Sequence, residues 1–129
     1  MTVRTVTYKD NSEYQGTMFR GERHGKGWLK AADGSIYEGE WKHDLYDGVG
    51  RLIYSDNSVY FGSFMYGKRE GKGKYISGDT VYEGDFVNDC KNGQGKETYA
   101  DGSIYIGQFE NGKKHGTGKY LIHIKGNTH

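Results

Sequence analysis

Apolar and polar residues alternate in short bursts along this chain, and the bursts recur. Tyr37, Gly39 and Trp41 alternate with Glu38 and Glu40. A period of two puts the first set on one face of a β-strand and the second set on the other. The same Tyr-x-Gly-x-(aromatic or Met) burst runs over Tyr14–Met18, Tyr37–Trp41, Tyr60–Phe64, Tyr82–Phe86 and Tyr105–Phe109, with lead tyrosines 23, 23, 22 and 23 residues apart. Eleven residues after each lead tyrosine begins a Gly-x-Gly: Gly25/Gly27, Gly48/Gly50, Gly71/Gly73, Gly93/Gly95 and Gly116/Gly118. An apolar period of 3.6 is absent, so almost no helix is expected. A fixed period of this length marks a repeat architecture. Such an array presents an extended surface rather than a single pocket.

Turn signals divide each unit in two. Polar segments at Gly21–His24, Asp44–Asp47, Gly67–Glu70, Asp89–Asn92 and Gly112–His115 separate the halves. Asp33-Gly34-Ser35, Asp56-Asn57-Ser58, Gly78-Asp79-Thr80 and Asp101-Gly102-Ser103 close the units, the third being one residue short. Asp-Gly and Asp-Asn pairs are strong hairpin-turn signals, so each unit is expected to be a β-hairpin. Glycine inside a strand signals the close approach of something bulky; an aromatic ring from a neighbouring strand is the expected partner. Val6–Ser12 matches Leu52–Ser58, so the array is expected to open mid-unit. The predicted organisation is one domain over residues 1–129: a half unit at 5–13, full units at 14–36, 37–59, 60–81, 82–104 and 105–124, and a short tail frayed from Lys125.

Tyr-Glu-Gly-Glu-Trp, a polar turn, Gly-x-Gly and then Asp-Gly-Ser together resemble the MORN repeat (membrane occupation and recognition nexus). The best copy runs from Tyr37 to Ser58, and the match covers roughly residues 5 to 124. The resemblance implies an all-β fold: a single-layered, twisted antiparallel sheet of tandem hairpins with the lead aromatics lining one face. It also implies a binding or scaffolding role, in cytoskeletal, ciliary or membrane-junction assemblies. Met18 stands where the other units have a second aromatic. Asp44 and Asp89 replace a mid-turn glycine, and Glu97 falls where Leu29, Leu52, Tyr75 and Tyr120 lie in the other units.

Composition narrows the function. Eighteen basic and seventeen acidic residues give a formal charge of +1, which argues against a nucleic-acid surface. Mean hydropathy is −0.92, but an aromatic content of 15% opposes disorder. The single cysteine, Cys90, has no internal disulfide partner, and no apolar run reaches membrane-spanning length. A cytoplasmic protein is expected, associated with cytoskeleton, cilium or membrane. No enzyme is expected, and no cofactor or metal. His24 and His115 recur at one repeat position and fall ~38 Å apart at ~4.8 Å per strand. Cys90 has no oriented base in reach. The Glu38/Glu40 and Glu83/Asp85 pairs read as a solvated strand face before a glycosidase pair.

The candidate site is the aromatic stripe: Tyr14, Tyr37, Trp41, Tyr60, Phe64, Tyr82, Phe86, Tyr105 and Phe109. Its main expected role is packing against neighbouring glycines; part of it is expected to stay open as a groove. A helix or extended segment of a partner protein, or a second copy of the chain, would lie there, with tyrosine hydroxyls and rim charges fixing register. The alternative is peripheral binding to anionic lipid through Lys68, Arg69, Lys113 and Lys114, each basic group contributing ~1 kcal/mol near an anionic leaflet. A third reading makes the chain a targeting fragment of an enzyme.

Overall fold

The computed structural model describes residues 2–122 and 124. Eleven strands follow one another: β1 (Thr2–Thr7), β2 (Glu13–Phe19), β3 (Glu22–Lys30), β4 (Ile36–Lys42), β5 (Leu45–Ile53), β6 (Val59–Met65), β7 (Lys68–Ser77), β8 (Thr80–Val87), β9 (Cys90–Thr98), β10 (Ile104–Glu110) and β11 (Lys113–Leu121). They form one open sheet in sequence order, antiparallel at every step, with no helix among the described residues. The strand expected to open near Thr5 begins at Thr2, because Thr2, Val3 and Arg4 continue the pairing opposite Met18, Thr17 and Gly16. The final strand ends at Leu121 rather than Ile124, and the expected frayed tail lies outside the described residues.

Two kinds of turn build the meander. Within a unit the strands are joined by two residues with positive φ: Arg20-Gly21, His43-Asp44, Tyr66-Gly67, Asn88-Asp89 and Asn111-Gly112. That backbone matches the natural twist of a hairpin. The polar segments read from the sequence as turns are therefore mostly strand, and the reversal sits at their leading edge. Between units, Asp10, Asp33, Asp56 and Asp101 each accept hydrogen bonds from the backbone N–H and the hydroxyl of the serine two residues on. These bonds hold the carboxyls of Asp10, Asp33 and Asp56 below the usual range.

The core is a single file of rings. Tyr14, Trp41, Tyr37, Phe64, Tyr60, Phe86, Tyr82, Phe109 and Tyr105 meet edge to face in that order, with centroids 5.0–5.4 Å apart and planes 78–89° apart. Such contacts add about 0.5–1.5 kcal/mol each beyond area burial. The second aromatic of a unit thus bridges its own lead tyrosine and that of the unit before. Met18 has no earlier lead tyrosine to reach, so its unit needs no ring there.

Each lead tyrosine lies over the second glycine of its own hairpin. A Cβ on Gly50 would stand 2.3 Å from the Tyr37 hydroxyl oxygen, and one on Gly39 2.5 Å from the Gly50 Cα. The ring that demands the second glycine of each pair thus comes from the neighbouring strand of the same hairpin. The hydroxyls of Tyr14, Tyr37, Tyr60 and Tyr82 donate to the carbonyls three residues on, at 2.6–2.7 Å. A bulge follows every such pair: three residues of the odd-numbered strand face one of the even, as Asp47–Val49 of β5 face Glu40 of β4.

Candidate functional site: two faces of one sheet

The nine aromatics of the sequence-derived site all lie in the ring file, and none is more than 4% exposed. Their rings are spent on packing, and the lead tyrosine hydroxyls are spent on the chain's own carbonyls, which leaves neither to set a partner's register. Burial pushes the phenols of Tyr14 and Tyr82 up to about 12, and those of Tyr37 and Tyr60 higher still.

What stays open on this aromatic face is a second tier. Tyr8, Tyr46, Tyr54, Tyr75 and Tyr99 are half-buried against the core. Beside them run four cations at one repeat position, each over aromatic rings. Arg23 sits 4.7 Å from the Trp41 centroid, Arg69 5.1 Å from Phe86, Lys91 5.2 Å from Tyr82 and Lys114 5.3 Å from Tyr105. Tyr46 takes this position in the second unit and stacks on Tyr37 at 3.8 Å. Three of the cations are already paired: Arg23 with Asp44 at 3.0 Å, Arg69 with Asp89 at 3.4 Å and Lys91 with Glu97 at 2.7 Å. Glu97 is nearly buried; burial pushes its carboxyl up, but hydrogen bonds from Lys91 and Tyr99 outweigh this and hold it low. Bonds to Tyr99 and Tyr120 raise the Lys114 amine.

The four cations proposed for lipid do not form one patch. Arg69 and Lys114 lie over the rings, while Lys68 begins β7 and bonds Asn88 at 2.9 Å. Lys113 is exposed at the start of β11.

Two related concave features lie on the opposite, polar face. A trough of about 580 Å³ is lined by Gln15, Lys26, Trp28, Glu38, Glu40 and Val49 over a floor of Gly27 and Gly39. A second, of about 340 Å³, is lined by Phe61, Lys72, Lys74 and Glu83 over Gly62, Gly73 and Gly84. Its positions are those of the first moved on by two units. Trp28 is half-buried here, away from the ring file, and Phe61 is 56% exposed. Neither was singled out from the sequence. The available signal was that Trp28 stands where every later unit carries Arg51, Lys74, Lys96 or Lys119.

The carboxylate pairs have structural partners. Glu40 accepts from the Val49 N–H and plugs the bulge; Asp85 accepts from the Gln94 N–H and pairs with Lys72 at 2.5 Å; Glu38 pairs with Arg51 at 3.5 Å. Among the described residues no cluster of three or more His, Cys, Asp and Glu is placed to hold a metal. His24 does have a histidine neighbour, His43, with ring centroids 5.6 Å apart. Cys90 is a free, half-buried thiol. No helix among the described residues is long and apolar enough to cross a membrane.

These features define a tandem-hairpin repeat protein built as an open single-layered sheet. The MORN repeat model matches residues 14–36, 37–59, 60–80, 82–104 and 105–122, and the chain belongs to the MORN repeat family. The MORN repeat is a non-catalytic binding repeat, which fits a protein-binding role. No curated protein matches the sequence. Among solved structures, the TCP domain of SAS-4 (dCPAP) from Drosophila melanogaster, in complex with a proline-rich motif of Ana2 (dSTIL), is similar at 11% identity and a TM-score of 0.36, with 94% of this chain and 90% of that chain covered.

Proposed function

We propose that this protein is a non-catalytic adaptor that holds a segment of a partner protein in the polar-face trough, across the strands, within a cytoskeletal or ciliary assembly. The observation that carries the reading is the recurrence of one concavity at the same repeat position two units apart, each with an aromatic side chain in its lining, Trp28 half-buried and Phe61 exposed. A single-layered sheet has no second layer to fill such a trough. Aromatic side chains at the centre of a concave surface supply most of an interface's affinity. The aromatic face offers less, because its rings are buried and three of its four cations are neutralised.

Affinity capture from native cells identifies the partner, and calorimetry with the purified partner tests the site. The Trp28→Ala/Phe61→Ser double variant is expected to keep its melting temperature within a few degrees and to lose at least about tenfold in affinity. Tyr54→Ala/Tyr75→Ala, on the other face, is expected to bind as wild type. The opposite pattern would move the interface to the aromatic face. Wild-type affinity in both double variants would sink a sheet-face interface altogether.

A further inference from the structure

The polar face has a repeating charge along it, in a row that runs on from the trough lined by Phe61 and Lys74. On the polar face one row crosses the later strands in register: Arg51 opposite Phe61, Phe61 opposite Lys74, Lys74 opposite Glu83, Glu83 opposite Lys96, Lys96 opposite Ile106 and Ile106 opposite Lys119. Every odd-numbered strand from β5 to β11 therefore places one cation in this row, and all four are exposed. Lys74, Lys96 and Lys119 make no ion pair among the described residues, and the Arg51–Glu38 pair is itself more than half exposed, where pairing is weak. Successive cations are two strand spacings apart, ~9.6 Å.

That distance selects a conformation. A polyproline II helix advances ~9.3 Å in three residues and presents every third side chain on one side. Over the three intervals from Arg51 to Lys119 it slips by only ~0.9 Å against the comb. An α-helix returns a side chain to the same side after seven residues, ~10.5 Å, and slips by ~2.7 Å over the same span. A polyproline II chain also leaves its own N–H and C=O groups solvated, so it can cross the strands without pairing to a sheet edge. Phe61 and Ile106, set between cations, suit apolar residues at the flanking intervening positions, and Glu83, between Lys74 and Lys96, suits a neutral or basic one.

Resting on the trough reading above, we propose that the partner segment is an acidic chain in polyproline II conformation, with Asp or Glu at every third residue seated on Arg51, Lys74, Lys96 and Lys119. The hairpin repeat acts as the ruler that reads this spacing. Charge-assisted bonds across the comb supply register, and specificity lies in the spacing rather than in net charge.

Three fluorescein-labelled probes test this against the full chain by anisotropy: four repeats of Glu-Pro-Pro, an isomer with its four glutamates consecutive, and four repeats of Lys-Pro-Pro. The first is expected to bind at low ionic strength, weaken with salt, and bind at least about fivefold more tightly than its isomer. The lysine peptide is expected not to bind. Lys74→Glu and Lys96→Glu, both at exposed positions, are each expected to weaken the first probe by about fivefold at unchanged melting temperature. Equal affinity for the two glutamate isomers, or no binding of either, overturns the proposal. So does sedimentation with phosphatidylserine vesicles that Lys74→Glu abolishes while the isomers bind alike; that result assigns the comb to a membrane. Loss of the native partner in Trp28→Ala/Phe61→Ser but not in Lys74→Glu/Lys96→Glu also sinks the spacing rule and leaves the trough as the interface.

Discussion

Glycine and tyrosine form one device in each hairpin. Valine at Gly50 would drive a side chain into the Tyr37 ring, and valine at Gly84 into the Gly95 backbone, where a Cβ already stands 2.5 Å from the Cα. Either substitution is expected to cost several kcal/mol, beyond the ~1–3 of ordinary overpacking, because the packed Tyr37 ring in the first case and paired backbone in the second must move. Gly34→Ala meets open space but keeps a φ of +92, so about 1 kcal/mol is expected. Thermal melts of the three variants check the ranking. The same tyrosines set an alkaline limit. Their folded-state phenols titrate above the ordinary value of about 10, so the fold is fully favoured below pH ~10 and loses stability as pH rises towards 12, where Tyr14 and Tyr82 ionise. Tyrosinate absorbance and circular dichroism are expected to change together in that window. Free phenol titration near pH 10 with the sheet intact would contradict the burial of these hydroxyls.

Strands β5 and β9 give the chain an internal control. Tyr46 and Leu52 in β5 hold the positions that Lys91 and Glu97 hold in β9. Lys91→Tyr alone leaves the nearly buried Glu97 without its cation. It is expected to destabilise by about 2 kcal/mol, less than the ~3–5 of a fully buried pair because Lys91 is partly exposed. Lys91→Tyr/Glu97→Leu rebuilds the apolar arrangement of β5 and is expected to be neutral or stabilising. Urea unfolding of both variants and the wild type measures the difference. At this scale most of the fold was legible. Tyr-x-Gly-x-aromatic bursts named the even-numbered strands, and Asp-x-Ser named the turns between units. The reversals within units were placed late, because Arg20, His43, Tyr66 and Asn88 adopt a positive φ that their residue types do not advertise. The site was less legible. The nine rings that recur with the repeat are buried in its core, since periodic residues serve the period; Trp28, the departure from it, lines the trough of about 580 Å³.

Across the described residues every strand hydrogen-bonds only to its sequence neighbours, and ring contacts reach one strand further. Stability is then close to a sum of units and the interfaces between them. Excising residues 60–81, one full unit, is expected to leave a folded, shorter sheet that melts at lower temperature. Circular dichroism and small-angle scattering would show strand signal retained and the long dimension reduced by ~9.6 Å. Loss of all structure would mean that the ring file folds only as a whole. The open meander also has a mechanical consequence. A load applied at the two chain ends meets the rows of backbone hydrogen bonds one pair at a time, as a zip is opened, and never shears several rows at once. Stretched as a tether, the protein is expected to pay out chain at low force in small successive steps, which makes it a compliant spacer and not a rigid strut.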